Sequence, residues 1–302
     1  MQLVLFDKKT LQPVAVLPGQ VPYLALGQVT VTRPQQPATL AELAPQYAAA
    51  TSFGPLTLLG YNVDRTEATP GSPFLLTLFW RADRQPDEAL AAQVSLAAAD
   101  GTIAWQQNLP PVQADFPPTD WRAGDTWRGQ QLMRLPASLN GGSYTWQLAV
   151  CRMVGAECEP LAAATPLGSL VINAPERLWE LPPLLLEWGM PFVEVGQLMG
   201  VSQLPPALLP GETVTVELVW SAAAETPLSY HVFLQLLGPD GQVVAQSDGE
   251  PAAWTRPTTG WLPGEIILDP RSLTLPDPLP PGMYTLVTGL YLPRNRPTPA
   301  PD

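Results

Sequence analysis

Charged residues are scarce in this sequence, and the few basic residues are almost all arginine. Only 14% of the 302 residues are charged, and the 15 basic residues, which include just two lysines (Lys8 and Lys9), face 27 acidic ones. The net charge of -12 repels the phosphates of nucleic acids and the surfaces of anionic lipids. We therefore expect neither nucleic acid nor an anionic membrane surface as a partner.

Long hydrophobic runs are also missing. No stretch approaches 18 consecutive apolar residues, so we expect no direct membrane insertion. The opening MQLVLFDKK places its basic pair after the apolar run, which is the reverse of a secretion signal. However, 46% of the chain is hydrophobic and ten residues are tryptophan, which disordered chains lack. The length is sufficient for two folded domains.

Reactive side chains are few. His231 is the only histidine, and no nucleophile-elbow, zinc-protease, P-loop or dinucleotide-binding motif is present. In YHVFLQL the histidine alternates against Val232 and Leu234, so we expect it to face solvent on the side of a strand opposite the apolar one. The sequence therefore predicts no catalytic residue and no cofactor.

The two cysteines, Cys151 and Cys158, flank Gly155 in CRMVGAEC. A tight turn at the glycine would bring both to facing positions of a hairpin, where a disulfide is sterically allowed. The alternative is a pair of independent, half-buried thiols. A disulfide would imply an oxidising compartment, and a metal site would need more ligands than the neighbouring residues offer.

One strand pattern occurs twice. Residues 210–220, PGETVTVELVW, alternate apolar and polar side chains as a half-buried strand does, and residues 70–80, PGSPFLLTLFW, repeat the pattern. The alternation places the final tryptophans, Trp80 and Trp220, in the core. The same offset of 140 aligns further pairs without a gap: Gly60 with Gly200, Asp100-Gly101 with Asp240-Gly241, Trp121 with Trp261, and Tyr144 with Tyr284. The chain therefore contains a duplicated module.

Each copy reads as short strands separated by turns. In the second copy Asp240-Gly241 predicts a primed hairpin turn, and the expected strands cover residues 195–202, 213–221, 229–238, 242–247, 265–274 and 283–292. Six or seven antiparallel strands at this spacing predict a β-sandwich. We therefore expect an all-β fold with two tandem immunoglobulin-like antiparallel sandwiches and a partial hairpin at the N-terminus.

The repeat also predicts the boundaries. The helical turn expected around Leu40, Leu43 and Tyr47 is interrupted by Pro45, and the second linker should lie along the junction between the sandwiches. In chain order we expect the final hairpin of a truncated module (1–33), a linker (34–52), the first sandwich (53–173), a second linker (174–191), and a second sandwich lacking its last strand (192–302).

The two incomplete ends predict self-association. Leu26-Gly27-x-Val29-x-Val31 matches Leu167-Gly168-x-Leu170-x-Ile172, so the N-terminal segment resembles the strand that the second sandwich lacks. We expect that segment of one chain to add as a strand to the second sandwich of the next, beside Leu286, Thr288 and Leu290. Such a contact gives open, head-to-tail chains.

Loop tryptophans are the candidate ligand-binding residues. Trp121 and Trp261 lie in PPTDWRAGD and PTTGWLPGE, where they could stack on a sugar ring, with hydrogen bonds from Gln246, Asp248 and Thr258. Alternatively, they could cap the open end of each sandwich, which their occurrence in both copies favours. Trp254 is the better candidate for a contact specific to the second copy, because the first copy has Ala114 there.

Two carboxylate pairs have the composition of a glycosidase site, which needs two acids at a defined separation. They are Asp248 with Glu250, and Asp115 with Asp120. The other copy has Asn108 and Pro110 in place of the first pair, and Thr255 and Gly260 in place of the second. Since the module does not require these acids, we do not expect catalysis.

Three strings are specific enough to suggest a family. YHVFLQLLGPDGQVVAQSDGEP, followed by RPTTGWLPGEII and LPPGMYTLVTGLY, resembles the β-sandwich modules appended to polytopic membrane glycosyltransferase-like proteins of the dolichyl-phosphate-mannose mannosyltransferase type in some bacteria. The resemblance covers residues 195–292 well and residues 55–151 more loosely. It carries over no catalytic residue, and Gln235 stands where these modules often have histidine.

This resemblance implies an extracytoplasmic position on the cell envelope, beside a membrane-embedded enzyme that uses lipid-linked sugars. The partners would be neighbouring modules or the membrane domain of a longer parent protein. We expect a non-catalytic array that spaces or positions a partner domain. The alternatives are a carbohydrate-binding array and an accessory domain that contributes directly to glycosyl transfer.

Overall fold

The computed structural model describes residues 35–155, 157–192 and 195–293, together with residues 2, 3, 24, 25, 27, 28, 30 and 33. The chain forms two compact units, Met1–Ala38 and Thr39–Asp302. In the first unit, β1 (Gln2–Leu3) pairs antiparallel with β2 (Leu24–Ala25). The rest of the predicted N-terminal hairpin, with its predicted strand at Val29 and Val31, lies outside the described residues.

The first sandwich consists of two sheets. One sheet contains, in spatial order, β3 (Tyr47–Phe53), β4 (Leu56–Val63), β6 (Pro73–Ala82) and β9 (Thr126–Arg134). The other contains β5 (Glu67–Ala68), β12 (Thr165–Ile172), β10 (Gly142–Val154), β7 (Leu90–Ala98) and β8 (Ile103–Leu109), with β11 (Glu157–Pro160) beside β10. All pairs are antiparallel except β5 with β12.

The second sandwich repeats this arrangement with fewer strands. One sheet contains β13 (Leu186–Phe192), β14 (Gly196–Gln203), β15 (Thr213–Ala222) and β18 (Ile266–Thr274). The other contains β17 (Val243–Gly249), β16 (His231–Leu237) and β19 (Thr285–Tyr291). The prediction of an all-β fold is therefore confirmed.

The repeat is visible in the strand boundaries. Strands β4, β6, β8 and β9 begin and end 140 residues before β14, β15, β17 and β18, so the copies match residue for residue in both sheets. The 3₁₀ turns Pro118–Asp120 and Thr258–Gly260 match in the same way. The alternation in the sequence therefore located these strands to within one or two residues.

The tryptophans that end the repeated strands lie in the core, as predicted. Trp80 and Trp220 are fully buried between the two sheets of their respective sandwiches. Each is surrounded by the alternating apolar residues of its own strand and by those of the facing sheet. Truncating either one to alanine would cost about 3–5 kcal/mol.

The hairpin turn at Asp240-Gly241 differs from the prediction. Gly241 donates its N–H to the carbonyl of Gly238, and only Gly241 has positive φ, so the central residues of the turn are Pro239 and Asp240. Proline fixes φ near -65°, which excludes the primed turn. The connection is instead a type I turn followed by a left-handed glycine, the common three-residue hairpin loop.

Both sandwiches begin earlier along the chain than predicted. Strands β3 and β13 lie largely within ranges 34–52 and 174–191, which the sequence analysis assigned to linkers. The predicted helical turn is α1 (Leu40–Leu43), which Thr39 caps. It ends at the left-handed Ala44 because a proline follows, so Tyr47 starts a strand and does not extend the helix.

The two copies differ at one edge. Strand β10 of the first sandwich lies between β7 and β12, with seven residues paired to β12. Its counterpart β19 pairs with β16 alone among the described residues. The second edge of β19 therefore carries no strand in the part of the chain that the structure describes.

Candidate functional site

Three of the predicted ligand-binding residues are buried. Trp121 and Trp261 are fully enclosed, and their indole nitrogens donate to the carbonyls of Phe116 and Arg256, each in the loop before the tryptophan. Thr258 is also fully buried, where its hydroxyl donates to the carbonyl of Leu228. None of the three can therefore contact a ligand, and the burial of Trp121 and Trp261 favours the alternative in which they cap the sandwich.

Trp254 is exposed and lies in a cluster of aromatic side chains. Its side chain is 60% exposed, and its ring packs edge-on against His231 at a centroid distance of 5.1 Å. Tyr291 packs on the same histidine at 5.6 Å, because β16 and β19 place the two residues opposite each other. His231 is thus on the outer face, as predicted, but its side chain is only 17% exposed.

Polar groups border this cluster. The hydroxyl of Tyr291 donates to Asp248 Oδ1 at 2.7 Å, and His231 Nδ1 lies 3.8 Å from the same oxygen. Burial raises the pKa of Tyr291 to about 12, and the hydrogen bond to Asp248 contributes to the shift. The phenol therefore stays protonated at neutral pH. Gln246, two residues from Asp248 along the same strand, is exposed and accepts a hydrogen bond from Gln235 at 3.4 Å.

An unusual loop presents Trp254. Ala252, Ala253 and Trp254 all have positive φ, which residues with a side chain adopt only when their surroundings impose it. The indole lies against Gly249, where an added Cβ would come within 2.8 Å of the ring. The loop path and the glycine together place the ring over the outer face of the sheet.

A buried ion pair fixes this loop. Asp269 and Arg271 lie on β18 and face the interior of the second sandwich, where both are almost fully buried. Their carboxylate and guanidinium groups are 2.8 Å apart. Asp269 accepts the N–H of Ala252 and the indole N–H of Trp220. Arg271 donates to the carbonyls of Gly249 and Glu250. The residues that lead into the turn carrying Trp254 are therefore tied to the core.

The first sandwich anchors its corresponding loop differently. Gly129 stands at the position of Asp269, and the loop passes so close that an added Cβ would lie 2.0 Å from the carbonyl oxygen of Pro111. The indole of Trp80 donates to that carbonyl, and Gln131 donates to the carbonyls of Pro110 and Val112. At the position of Trp254 this loop carries Ala114.

The two sandwiches are joined through Arg177, in the segment between them. Its guanidinium donates to the carbonyl of Ala137 in the first sandwich at 2.6 Å and to that of Gly260 in the second at 3.1 Å. It also binds Glu265, a fully buried carboxylate that binds Arg256 as well. Two arginines thus neutralise a buried acid at the junction.

A direct contact supports this junction. The hydroxyl of Thr259, in the second sandwich, donates to the carbonyl of Gly71, in the first, at 3.0 Å. Gly71 has positive φ, and an added Cβ would lie 2.4 Å from the carbonyl oxygen of Thr259. Only glycine fits this position, since both the φ angle and the close approach exclude a side chain.

The cysteine pair lies in the first sandwich. Cys151 and Cys158 form a disulfide across the β10–β11 hairpin, with their Cα atoms 5.1 Å apart. They do not occupy the facing positions that the sequence predicted, because Cys151 pairs with Pro160 and Cys158 pairs with Met153. Cys151 is fully buried, and its counterpart in the second sandwich is Tyr291. The same strand position therefore supplies a covalent link in one copy and part of the aromatic cluster in the other.

The first sandwich also contains a cavity of about 170 Å³, lined by rings that include Tyr47, Tyr61 and Trp146. The two tyrosines stack at 4.9 Å, and the buried indole nitrogen of Trp146 has no hydrogen-bond partner among the described residues. A water molecule satisfies a single donor as well as a ligand would, so this cavity does not define a ligand class.

Across the residues that the structure describes, no three His, Cys, Asp or Glu side chains lie close enough to hold a metal ion. Within the same residues, no helix is long and apolar enough to cross a membrane.

Comparison with known proteins gives little. No family model matches the sequence, and no curated protein matches it. Among solved structures, the C-terminal domain of Wzt is similar, with 12% sequence identity and a TM-score of 0.32. The similarity covers 48% of this chain and 90% of that domain. A similarity this distant carries no argument about function.

The sequence indicated only part of the cluster. It singled out Trp254 and Asp248, but missed His231 and Tyr291, because the register of β16 against β19 cannot be obtained from either strand alone. The buried ion pair left a usable signal. Asp269 and Arg271 occupy inward positions of an alternating strand, where the first copy has glycine and glutamine.

Proposed function

We propose that this chain is a non-catalytic array of β-sandwich modules that holds a partner domain at a fixed distance and orientation outside the cytoplasm. The observation that carries the proposal is the built junction between the sandwiches. A flexible linker would allow the modules to swivel, whereas Arg177 binds backbone or side-chain atoms on both sides. Separating the sandwiches would break the hydrogen bonds that cross to the first one, from Arg177 to Ala137 and from Thr259 to Gly71, so the junction resists opening.

The proposed setting depends on two further observations. The three strings of the second copy resemble modules appended to membrane glycosyltransferase-like proteins, which implies the extracytoplasmic face of the cell envelope. The disulfide between Cys151 and Cys158 supports an oxidising compartment. The partner would then be a neighbouring module or the membrane domain of a longer parent protein.

Distance measurements between the sandwiches test this function. Ile103 and Val243 are exposed and occupy equivalent positions of the two copies, so labels attached there as unnatural amino acids leave the disulfide intact. We expect a single narrow distance distribution for the intact chain. Arg177→Ala combined with Thr259→Val should broaden it, because this pair of substitutions removes the hydrogen bonds that cross the junction.

The matched control is Arg65→Ala, which removes a surface ion pair with Asp64 inside the first sandwich and should leave the distribution narrow. Thermal unfolding of each variant checks that both sandwiches stay folded. A distribution in the intact chain as broad as that of the junction variant would refute a positioning role.

A further inference from the structure

We infer that the outer face of the β17–β16–β19 sheet binds a neutral saccharide chain, with Trp254 as the ring on which a sugar residue stacks. This site goes beyond the positioning role, because it gives the second sandwich a ligand of its own. Its central residues are Trp254, His231, Tyr291 and Asp248, with Gln246 further along the sheet.

Trp254 is exposed but held in a fixed position. A tryptophan placed for stability is buried, as Trp220 and Trp261 are, whereas Trp254 is 60% exposed. The exposed ring is also held in place: Gly249 supports it, His231 packs on it, and Asp269 binds the backbone of its loop. Interfaces use rigid aromatic anchors of this kind, because little conformational freedom is lost when a ligand binds.

The neighbouring groups define the ligand chemistry. A pyranose ring presents an apolar C–H face, which fits an aromatic ring, and hydroxyl groups at its edge, which fit carboxylate and amide oxygens. Asp248 is 41% exposed and uses Oδ1 for Tyr291, which leaves its other oxygen for a ligand hydroxyl. Gln246 supplies an amide on the same surface.

Charge selects neutral sugars. Strands β16, β17 and β19 contain no lysine or arginine, and Asp248 is a carboxylate, so the face repels sulfated, phosphorylated and uronic-acid sugars. The arginines nearest to this loop are engaged, Arg256 with Glu265 and Arg271 with Asp269. The ligand is therefore a chain of uncharged sugar residues.

The spacing favours a chain over a single sugar. Asp248 and Gln246 are opposite Phe233 and Gln235, two residues apart along the same face of the sheet. Two residues of a strand span about 6.8 Å, so these polar groups contact successive sugar residues of a polymer that lies along the strands.

The first sandwich provides an internal comparison. At the positions of His231, Trp254 and Tyr291 it has Ala91, Ala114 and Cys151, none of which can stack on a sugar. We therefore expect one site per chain, on the second sandwich only.

Affinity electrophoresis of the full chain tests the inference, with neutral polysaccharides in the gel (β-1,3-glucan, β-1,4-glucan, mannan and galactan) and alginate as the acidic comparison. At least one neutral polymer should retard the intact chain, and alginate should not. Trp254→Ala should weaken that binding by about tenfold or more, the effect of losing a central aromatic anchor. Trp179→Ala is the matched control, because Trp179 is 56% exposed and lies outside this face.

Calorimetry with the retarding polymer should give a stoichiometry of one site per chain and a severalfold loss of affinity for Asp248→Asn. Trp254 lies on the surface, so the variant should unfold at the same temperature as the intact chain. Three outcomes would overturn the site: no neutral polymer retards the intact chain, Trp254→Ala binds as well as the intact chain, or Trp179→Ala loses as much affinity as Trp254→Ala.

Discussion

The two sandwiches share their strands and differ in how each anchors one loop. In the first, Gly129 and Gln131 draw the loop against the sheet, and all of its polar contacts are neutral. In the second, a buried ion pair of Asp269 and Arg271 stands at these positions and binds the backbone of the loop. The two copies thus anchor this loop through different residues on the inner face of one strand, and only the second copy has an exposed tryptophan in it, at the position where the first has Ala114.

This comparison separates the repeat into two parts. The core positions are mostly apolar in both copies, and the offset of 140 aligns the buried Trp80 with Trp220 and Trp121 with Trp261. The copies differ at many positions, including Trp254 and Tyr291 on the outer face and the buried Asp269 and Arg271 of the second sandwich. A duplicated module can therefore gain a site in one copy while its strand arrangement is kept.

The largest expected effect concerns the sheet edges. Strand β10 has a neighbouring strand on each side, whereas β19 pairs only with β16 among the described residues. We therefore expect the open edge of β19 to accept a strand from another chain. Light scattering over a concentration series should show growing mass for the intact chain. Removing residues 1–33, whose sequence matches β12, should abolish that growth while both sandwiches stay folded. An intact chain that is monomeric at high concentration would contradict head-to-tail association.

The next effect concerns the ion pair. Arg271→Gln should lower the free energy of unfolding of the second sandwich by about 3–5 kcal/mol, because Asp269 would remain buried without its cation. Adding Asp269→Asn removes the second charge and should recover part of the loss. Urea unfolding measures both. If the double substitution costs as much as the two single substitutions added together, the pair is not coupled and our explanation of the loop fails.

A smaller effect distinguishes the first sandwich. Replacing Cys151 and Cys158 together by serine should destabilise that sandwich by about 2 kcal/mol, as expected for a short disulfide loop. The second sandwich, which has Tyr291 at the corresponding position, should unfold unchanged. Denaturant unfolding with and without reductant checks this, since reductant should reproduce the loss in the intact chain and have no effect on the variant.

The smallest effect is a titration. The pKa of Tyr291 is about 12, raised mainly by burial, so its phenolate absorbance should appear later than that of an ordinary tyrosine. Asp248→Asn should lower this pKa, and Tyr291→Phe identifies the signal by its absence. The pKa of Tyr291 is higher in the folded chain than in the unfolded chain. The contribution of the protonated phenol to the stability of the fold is therefore complete below pH 10 and is lost as the pH rises towards 12. Titration of Tyr291 near pH 10 in the intact chain would contradict its burial and its hydrogen bond to Asp248.

Much of the fold could be predicted because its signal is local. Alternation placed Trp80 and Trp220 in the core, and the repeat located the strands. The turn at Asp240 was misassigned because Pro239 shifts the central residues by one, a local cue that was available. The start of β3 was missed because its polar and alanine-rich sequence lacks a strong apolar alternation.

The candidate site was harder to predict because it depends on pairing between strands distant in sequence. Trp254 and Asp248 could be singled out by comparing the copies, but Tyr291 joins them only through the register of β19 against β16. Trp261 and Thr258 looked equally suitable as loop residues. Their burial depends on how the loop folds back under the sheet, which the sequence of the loop does not show.

The junction has a mechanical consequence. A force that pulls the two ends of the array apart would act on the hydrogen bonds of Arg177. Because Glu265 binds both Arg177 and Arg256, the force would be transmitted to Arg256, which is two residues from Trp254. We expect the second sandwich to bind its ligand more weakly when the chain is under tension. Single-molecule stretching would refute this if the lifetime of the bond between protein and ligand did not change with force. The affinity of the second sandwich for the polymer would then depend on the force applied to the partner domain.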